Sequence, residues 1–292
     1  MRIFVTGASG FVGSAIVEDL IRNGHEVKGL ARSDKAAEQL TAAGATVHRG
    51  DLDDHESLLA GVVGCDAVIH TGFNHDFSRF KENCEADRQV ILALGGALAG
   101  TGRPLIVTSG VGLLNYGRLV TEDDTPPATD IAPRAASEEG ANAAAQLGAN
   151  IYIVRLPPTV HGKGDHGFVP MVMGMAKEKG ESAYIGEGQN CWPAVHRYDA
   201  AMMYRLIAEQ QPEQRVFHAV AEKGIPFRGI ATAIGNTLQL PTVSKSGDDA
   251  AAHFGWFLYF ASFDCPASSD KSRAALGWEP QHIGLMEDFV NY

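Results

Sequence analysis

The run Gly7-Ala8-Ser9-Gly10-Phe11-Val12-Gly13 and the pair Arg134 and Glu138 are the residues of this sequence best suited to chemistry. Three glycines at this spacing, between a β-rich run and a helical one, suit a dinucleotide pyrophosphate. Gly7 permits a tight turn, Gly10 lets the backbone approach the phosphates, and Gly13 allows the helix to pack closely. The helix N-terminus adds N–H donors and a favourable dipole, and Ser9, Phe11 and Val12 complete the loop. A plain strand-to-helix turn is the alternative. The choice of dinucleotide falls at the end of the second strand, where an acid selects NAD. Here Leu30-Ala31 is followed by Arg32-Ser33, a cation and a hydroxyl suited to a 2′-phosphate, so NADP is expected over NAD. Arg32 also fits an ordinary solvated loop.

Arg134 and Glu138 are four residues apart in an alanine-rich helical stretch, which puts them on one face and allows a simple intrahelical ion pair. Arg134 cannot act as an acid, because guanidinium keeps its proton at any working pH. A glutamate partly screened from water beside a cofactor can have a raised pKa and donate a proton. Ser109, in Thr108-Ser109-Gly110, offers a hydroxyl for substrate or for a turn N–H. Further substrate-contact candidates are His75, Tyr116 as the best alternative phenol, His161, which suits either a pocket wall or a buried structural role, and Trp192. Asp76, Lys163, Asp165 and His166 read as solvated loop residues. The cysteines Cys65, Cys84, Cys191 and Cys265 contain no C-x-x-C pair, which argues against a metal site and a disulfide framework.

The elements that must position these groups alternate between strand and helix through the first half, the pattern of a parallel sheet covered on both faces. Strands are expected at Arg2 to Thr6, Glu26 to Leu30, Thr46 to Arg49, Ala67 to Ile69, Leu105 to Thr108 and Ile151 to Arg155. Helices are expected at Phe11 to Arg22, stopped by Asn23-Gly24, and at Arg134 to Leu147, closed by Gly148. After Pro157-Pro158 glycine-rich loops surround a Met-rich segment, Met171 to Met175, whose methionines suit a plastic pocket or ordinary helix packing. The alanines of the stretch after Arg134 suit close helix approach between subunits or simple helix formation. The fold class expected is α/β, a doubly wound parallel sheet of Rossmann type with a smaller C-terminal substrate lobe. Residues 1–160 form the dinucleotide-binding domain and 161–292 mainly the substrate lobe, with part of 191–220 returning to the first domain through a helix at Tyr198 to Glu209 and a strand at Val216 to Val220.

With the glycine loop in place, the chain resembles the extended short-chain dehydrogenase/reductases, the NAD-dependent epimerase/dehydratase-like group. Gly50-Asp51-Leu52 resembles the segment whose Asp meets the adenine, and Val68-Ile69-His70-Thr71-Gly72 the strand end that passes the cofactor ribose. Arg155-Leu156-Pro157-Pro158-Thr159-Val160-His161-Gly162 is similar to the family's run beside the nicotinamide. Gly186-Glu187-Gly188 through Trp192, Val195-His196-Arg197-Tyr198-Asp199 and Leu276-Gly277-Trp278-Glu279-Pro280 match second-lobe phrases. The resemblance implies that Asp51, Leu52, Thr71, Gly72, Pro157 and Thr159 join the cofactor site. It also implies that Arg134 and Glu138 stand where the family carries Tyr-x-x-x-Lys, and that Gly110 stands where a catalytic hydroxyl is usual. The expected function is an NADP(H)-dependent oxidoreductase on a small, fairly apolar organic substrate, with C=N or C=C reduction needing the lost proton relay less than C=O. Arg134 would bind a substrate oxygen and Ser109 would orient it. A sugar-nucleotide epimerase/dehydratase-like enzyme and a non-catalytic NADP-binding sensor are the alternatives.

The sequence has 292 residues and a formal charge of -11, with a pI near 5.4. That balance disfavours nucleic acid and anionic membrane surfaces as partners, since both need a basic face. The first strand begins at Arg2, which leaves no room for a leader, and no apolar stretch is long enough to span a bilayer. A cytoplasmic monomer or homodimer is expected.

Overall fold

The computed structural model describes residues 1–292. A seven-stranded sheet forms from β1 (Arg2–Thr6), β2 (Glu26–Ala31), β3 (Thr46–Arg49), β4 (Ala67–His70), β5 (Pro104–Gly110), β6 (Asn150–Leu156) and a returning strand, Val216–His218. Its order is β3-β2-β1-β4-β5-β6 and then the returning strand. All six pairings are parallel. Strands buried on both faces read as unbroken apolar runs, as Ile3, Phe4 and Val5 do at 0% exposure. The chain winds outward from β1 to β3 and then restarts at β4 on the other side of β1. The carboxyl ends of β1 and β4 therefore diverge into a crevice, the place where ligands bind in open α/β sheets.

Helices α1 (Phe11–Arg22), α2 (Asp34–Ala42), α3 (His55–Val62), α4 (Phe80–Leu98) and α5 (Ala136–Gln146) make the crossovers. The α4 and α5 helices touch because small residues meet: a Cβ on Gly95 would lie 2.4 Å from the Ala144 Cβ. The buried alanines Ala141 and Ala144 of α5 thus serve packing within the chain. The helical stretch starts later than the sequence pattern suggests, because Arg134 lies in a 3-10 turn over Pro133–Ala135 ahead of α5.

Beyond β6 the chain adds β7 (Thr159–His161), α6 (Phe168–Lys179), β8 (Ser182–Ile185), β9 (Cys191–His196) and α7 (Arg197–Gln210). The α7 helix lies against α1 and shares its core, through Met203, Tyr204 and Ile207. The returning strand follows as β10 and pairs in parallel with β6. A second apolar core, with Trp192, Phe227, Phe254 and Phe257 fully or almost fully buried, fills the smaller lobe. Met173 is buried in that core and Met171 and Met175 pack against it, so these methionines fill space between helices. No helix is long and apolar enough to cross a membrane.

Candidate functional site

The crevice above β1 and β4 is lined first by the glycine loop. Gly7 has φ +65°, and a Cβ there would lie 2.7 Å from the Gly72 backbone nitrogen. A Cβ on Gly13 would lie 2.0 Å from the Gly7 carbonyl oxygen. Both glycines are therefore demanded by the loop's own closure. Gly10 is different: it is exposed, and its Cβ would meet only the Gly7 oxygen, at 3.1 Å. The fold leaves this side of the loop open, with Ser9, Phe11 and Val12 beside it. The N-terminus of α1 has no side-chain cap and no acid in its first turn, so its N–H groups remain available to an anion. This cradle fits a dinucleotide pyrophosphate.

The residues expected around the rest of a dinucleotide lie just beyond β2, β3, β4 and β6 or, for Thr159, in β7. Arg32 follows β2, is 80% exposed, and has its Nε 3.6 Å from an Asp51 carboxylate oxygen. The Ser33 hydroxyl caps α2 by accepting from the Ala36 N–H at 3.2 Å. Leu52 packs on Gly72, whose Cβ would lie 3.0 Å from a Leu52 methyl. Thr71 donates to the Thr6 carbonyl at 2.8 Å. Pro157 is buried just past β6. Thr159 donates to the Pro193 carbonyl at 2.5 Å, so its hydroxyl joins β7 to β9.

Arg134 and Glu138 do not pair with each other, as their spacing would allow. Arg134 reaches α4 instead, where its Nη1 donates to Asp87 at 2.7 Å. Its Nη2 donates to the Thr108 carbonyl at 3.2 Å, and its guanidinium lies 4.2 Å from the Phe73 ring centroid. Asp87 is 5% exposed and also binds the Ser137 hydroxyl and, at 2.9 Å, His70 Nε2. His70 Nδ1 meets the Thr6 hydroxyl at 2.7 Å. Burial pushes the Asp87 carboxyl up, but Arg134, His70 and Ser137 outweigh it and leave its pKa below the usual value. The result is a cation fixed at the carboxyl end of β5 by a buried anion.

Glu138 faces the other way. It accepts from Ser109 Oγ at 2.7 Å, from Arg155 Nε at 2.8 Å and from Arg155 Nη2 at 2.8 Å. Arg155 is completed by the Asp124 carbonyl at 2.8 Å and His218 Nε2 at 3.2 Å. Glu138 and Arg155 are 3% and 2% exposed. A bidentate, desolvated pair of this kind holds both carboxylate oxygens in place, and it takes the Ser109 proton with them.

The remaining candidates scatter. His75 is exposed and sits 5.1 Å from Phe73, edge to face. Tyr116 lies on the surface with its hydroxyl donating to the Thr125 carbonyl at 2.6 Å. His161 is 1% exposed, its Nδ1 2.7 Å from Asp288. Trp192 corrects the expectation of a substrate contact: it is wholly buried in the second core, where Phe168 and Phe227 surround it. Gly110 has room, since its Cβ would meet nothing nearer than the Leu156 oxygen at 3.8 Å. Sequence reasoning missed Asp87. The signal was an acid on the buried face of α4, with Cys84 before it and Ile91 and Leu94 after it, where an apolar residue is the norm.

A model of the NAD dependent epimerase/dehydratase family matches residues 3–219. An uncharacterised protein of Schizosaccharomyces pombe is 50% identical over 292 residues, covering 100% of this chain and 99% of its own. A 2-alkyl-3-oxoalkanoate reductase of Stenotrophomonas maltophilia is 31% identical over 223 residues, 72% of this chain and 66% of that protein. Among solved structures, DesIV, a dTDP-glucose 4,6-dehydratase from Streptomyces venezuelae with NAD and TYD bound, superposes with a TM-score of 0.78 at 20% identity, covering 100% of this chain and 97% of that one. Sheet order, glycine loop and family match agree, and the chain belongs to the NAD dependent epimerase/dehydratase family.

Proposed function

We propose that the chain is an NADP(H)-dependent oxidoreductase in which Arg134 holds the oxygen of a small organic substrate. The observation that carries this reading is the fixing of Arg134 by Asp87 and the Thr108 carbonyl at the end of β5. When bound, NADP(H) supplies or accepts hydride, and Gly7, Gly10, Gly13 and the α1 N-terminus would hold it. A preorganised cation stabilises negative charge that develops on a substrate oxygen, and it needs no reorganisation at the moment of reaction. It does not deliver a proton, so water must complete an alcohol, whereas an iminium, already protonated, or an enone, which leaves as a less basic enolate, depends less on that step. The kinship with a reductase named for oxoalkanoates supports the same class of chemistry. Glu138 acts here as a positioning residue, holding Arg155 and Ser109.

The test is steady oxidation of NADPH with a panel of ketones, imines and enones. Turnover is expected with at least one, and Arg134→Ala should reduce kcat/KM by roughly 100-fold. Binding of NADPH with no turnover on any class would sink the oxidoreductase reading and leave a sensor. The closed Glu138–Arg155–Ser109 cluster favours that second reading, since it ties up in structure two residues that the resemblance would put beside the reacting atoms. The NADP preference rests on the exposed Arg32 and on the lack of an acid at the end of β2. Arg32→Ala should weaken NADPH about tenfold and leave NADH nearly unchanged, because a 2′-phosphate contact is charge-assisted; equal loss for both in calorimetry removes Arg32 from that role.

A further inference from the structure

We infer that Arg197 donates to the pyrophosphate of the bound dinucleotide, as a phosphate ligand contributed from outside the glycine loop. This rests on the reading of the α1 cradle as the place where the dinucleotide is held. Helix α7 ends beside the start of the sheet, where Gln211 accepts from the side-chain amide of Asn150, the first residue of β6, at 3.1 Å. Its other end therefore lies at the carboxyl edge, where α1 also begins, and the two helices pack side by side. Arg197 is the first residue of α7. Its Nη2 donates to Ser14 Oγ at 2.7 Å, and its guanidinium lies 4.6 Å from the Phe11 ring centroid. Phe11 opens α1 and Ser14 is one turn further on, so the cation rests against the turn whose N–H groups are free for an anion.

The charge of Arg197 is unanswered. Both of its hydrogen bonds go to neutral oxygens, Ser14 Oγ and, from Nη1 at 3.2 Å, the Lys163 carbonyl. Its Nε is buried with no partner. Glu18 of α1 is taken by the Tyr198 hydroxyl at 2.9 Å, and Asp199 of α7 accepts from the Gln281 and His282 amides at 2.9 and 3.1 Å. By contrast, Arg134, Arg155 and Arg205 each have a carboxylate at 2.7 or 2.8 Å. A guanidinium with donors to spare thus stands beside a helix N-terminus that is itself positive. That arrangement is unfavourable until an anion joins it, and a pyrophosphate accepts from helix and side chain together. The pyrophosphate is common to NADPH and NADH, so this contribution, unlike that of Arg32, is the same for both.

Calorimetric titration of NADPH and NADH into the parent, Arg197→Gln and Arg197→Lys is the test. Gln keeps a donor for Ser14 Oγ and loses the charge, whereas Lys keeps the charge. Arg197→Gln should weaken both dinucleotides roughly tenfold to a hundredfold, the scale of a hydrogen bond to a charged group, and Arg197→Lys should recover most of the loss. The gap between parent and Gln variant should narrow at high salt, as a contact between charges does, while the urea midpoint of the ligand-free Gln variant stays at or above the parent's. Equal affinity in the parent and the Gln variant overturns the inference. So does a loss confined to NADPH, a loss that the Lys variant shares in full, a gap that salt leaves unchanged, or a fall in the urea midpoint large enough to account for the weaker binding. A parent that binds neither dinucleotide defeats the reading of the cradle and the inference with it, whereas tight binding that Arg197→Gln leaves intact defeats the inference alone.

Discussion

Arg134 and Glu138 have exchanged the expected partnership for two separate ones, and the reason is local. Arg134 belongs to the 3-10 turn before α5 and Glu138 to the first turn of the helix itself, so their side chains leave the backbone in different directions. Their true partners, Asp87 and Arg155, lie 47 and 17 residues away in sequence, beyond anything that helical spacing can show. That the pair merits attention was legible, because the resemblance implies Tyr and Lys at these two positions. Its meaning was not, since the counter-charges come from α4 and β6. One consequence reverses a natural engineering idea. Converting the pair to Arg134→Tyr with Glu138→Lys would set an ammonium against the Arg155 guanidinium with no water to screen it. Glu138→Lys alone should cost about 3–5 kcal/mol, the usual penalty for breaking a buried pair, so the double change should yield an unstable chain and no ketone reductase. Urea denaturation measures this, and a loss below about 1 kcal/mol, the scale of an exposed pair, would show that the pair is not structural.

At the level of elements, the strand–loop–helix unit at the N-terminal end of the sheet was the most legible part of the chain. Its glycine spacing, the apolar β1 and the Asn23-Gly24 stop all point to one local structure, and the observed α1 has the expected bounds, Phe11–Arg22. The smaller lobe was less legible. Its short strands, such as β7 with three residues, carry too little pattern, and Trp192 looked like a site residue because burial is a tertiary property. The geometry also sorts the glycines by purpose, which spacing alone does not. Gly13→Val should unfold or severely destabilise the domain, because the added atoms meet backbone at 2.0 Å and backbone cannot yield. Gly10→Val should instead leave a folded protein that binds no dinucleotide, since only the open side of the loop is filled. Circular dichroism with calorimetric NADPH titration on both variants tests the contrast. Parental affinity in Gly10→Val would move the cofactor elsewhere, and a normally stable Gly13→Val would refute the packing argument.

Across the whole molecule, the two lobes and the sheet meet through buried polar groups whose protonation the fold dictates. His218 on β10 has Nδ1 2.9 Å from the Ser268 carbonyl and Nε2 3.2 Å from Arg155 Nη1. The carbonyl requires a donor and the guanidinium an acceptor, which only the neutral ring with its proton on Nδ1 supplies. Burial, then the Arg155 charge, push the His218 pKa down to about 4. His196, at the junction of β9 and α7, is likewise pushed to about 4 by burial and by the neighbouring His282 and His161. Both groups have a folded pKa below the unfolded value of 6.5, so the unfolded chain binds more protons between those limits. Stability should therefore be fully present above about pH 6.5 and fall as pH drops towards about 4. A protonated His218 would point an N–H at Arg155 and loosen the Glu138 pair behind it. His218→Gln, whose amide can both donate to Ser268 and accept from Arg155, removes this one proton from the balance. Its stability should decline with acid less steeply than the parent's, by about 1.4 kcal/mol per pH unit within that window. Urea denaturation across the window gives both slopes, and identical slopes would mean that His218 does not titrate on unfolding.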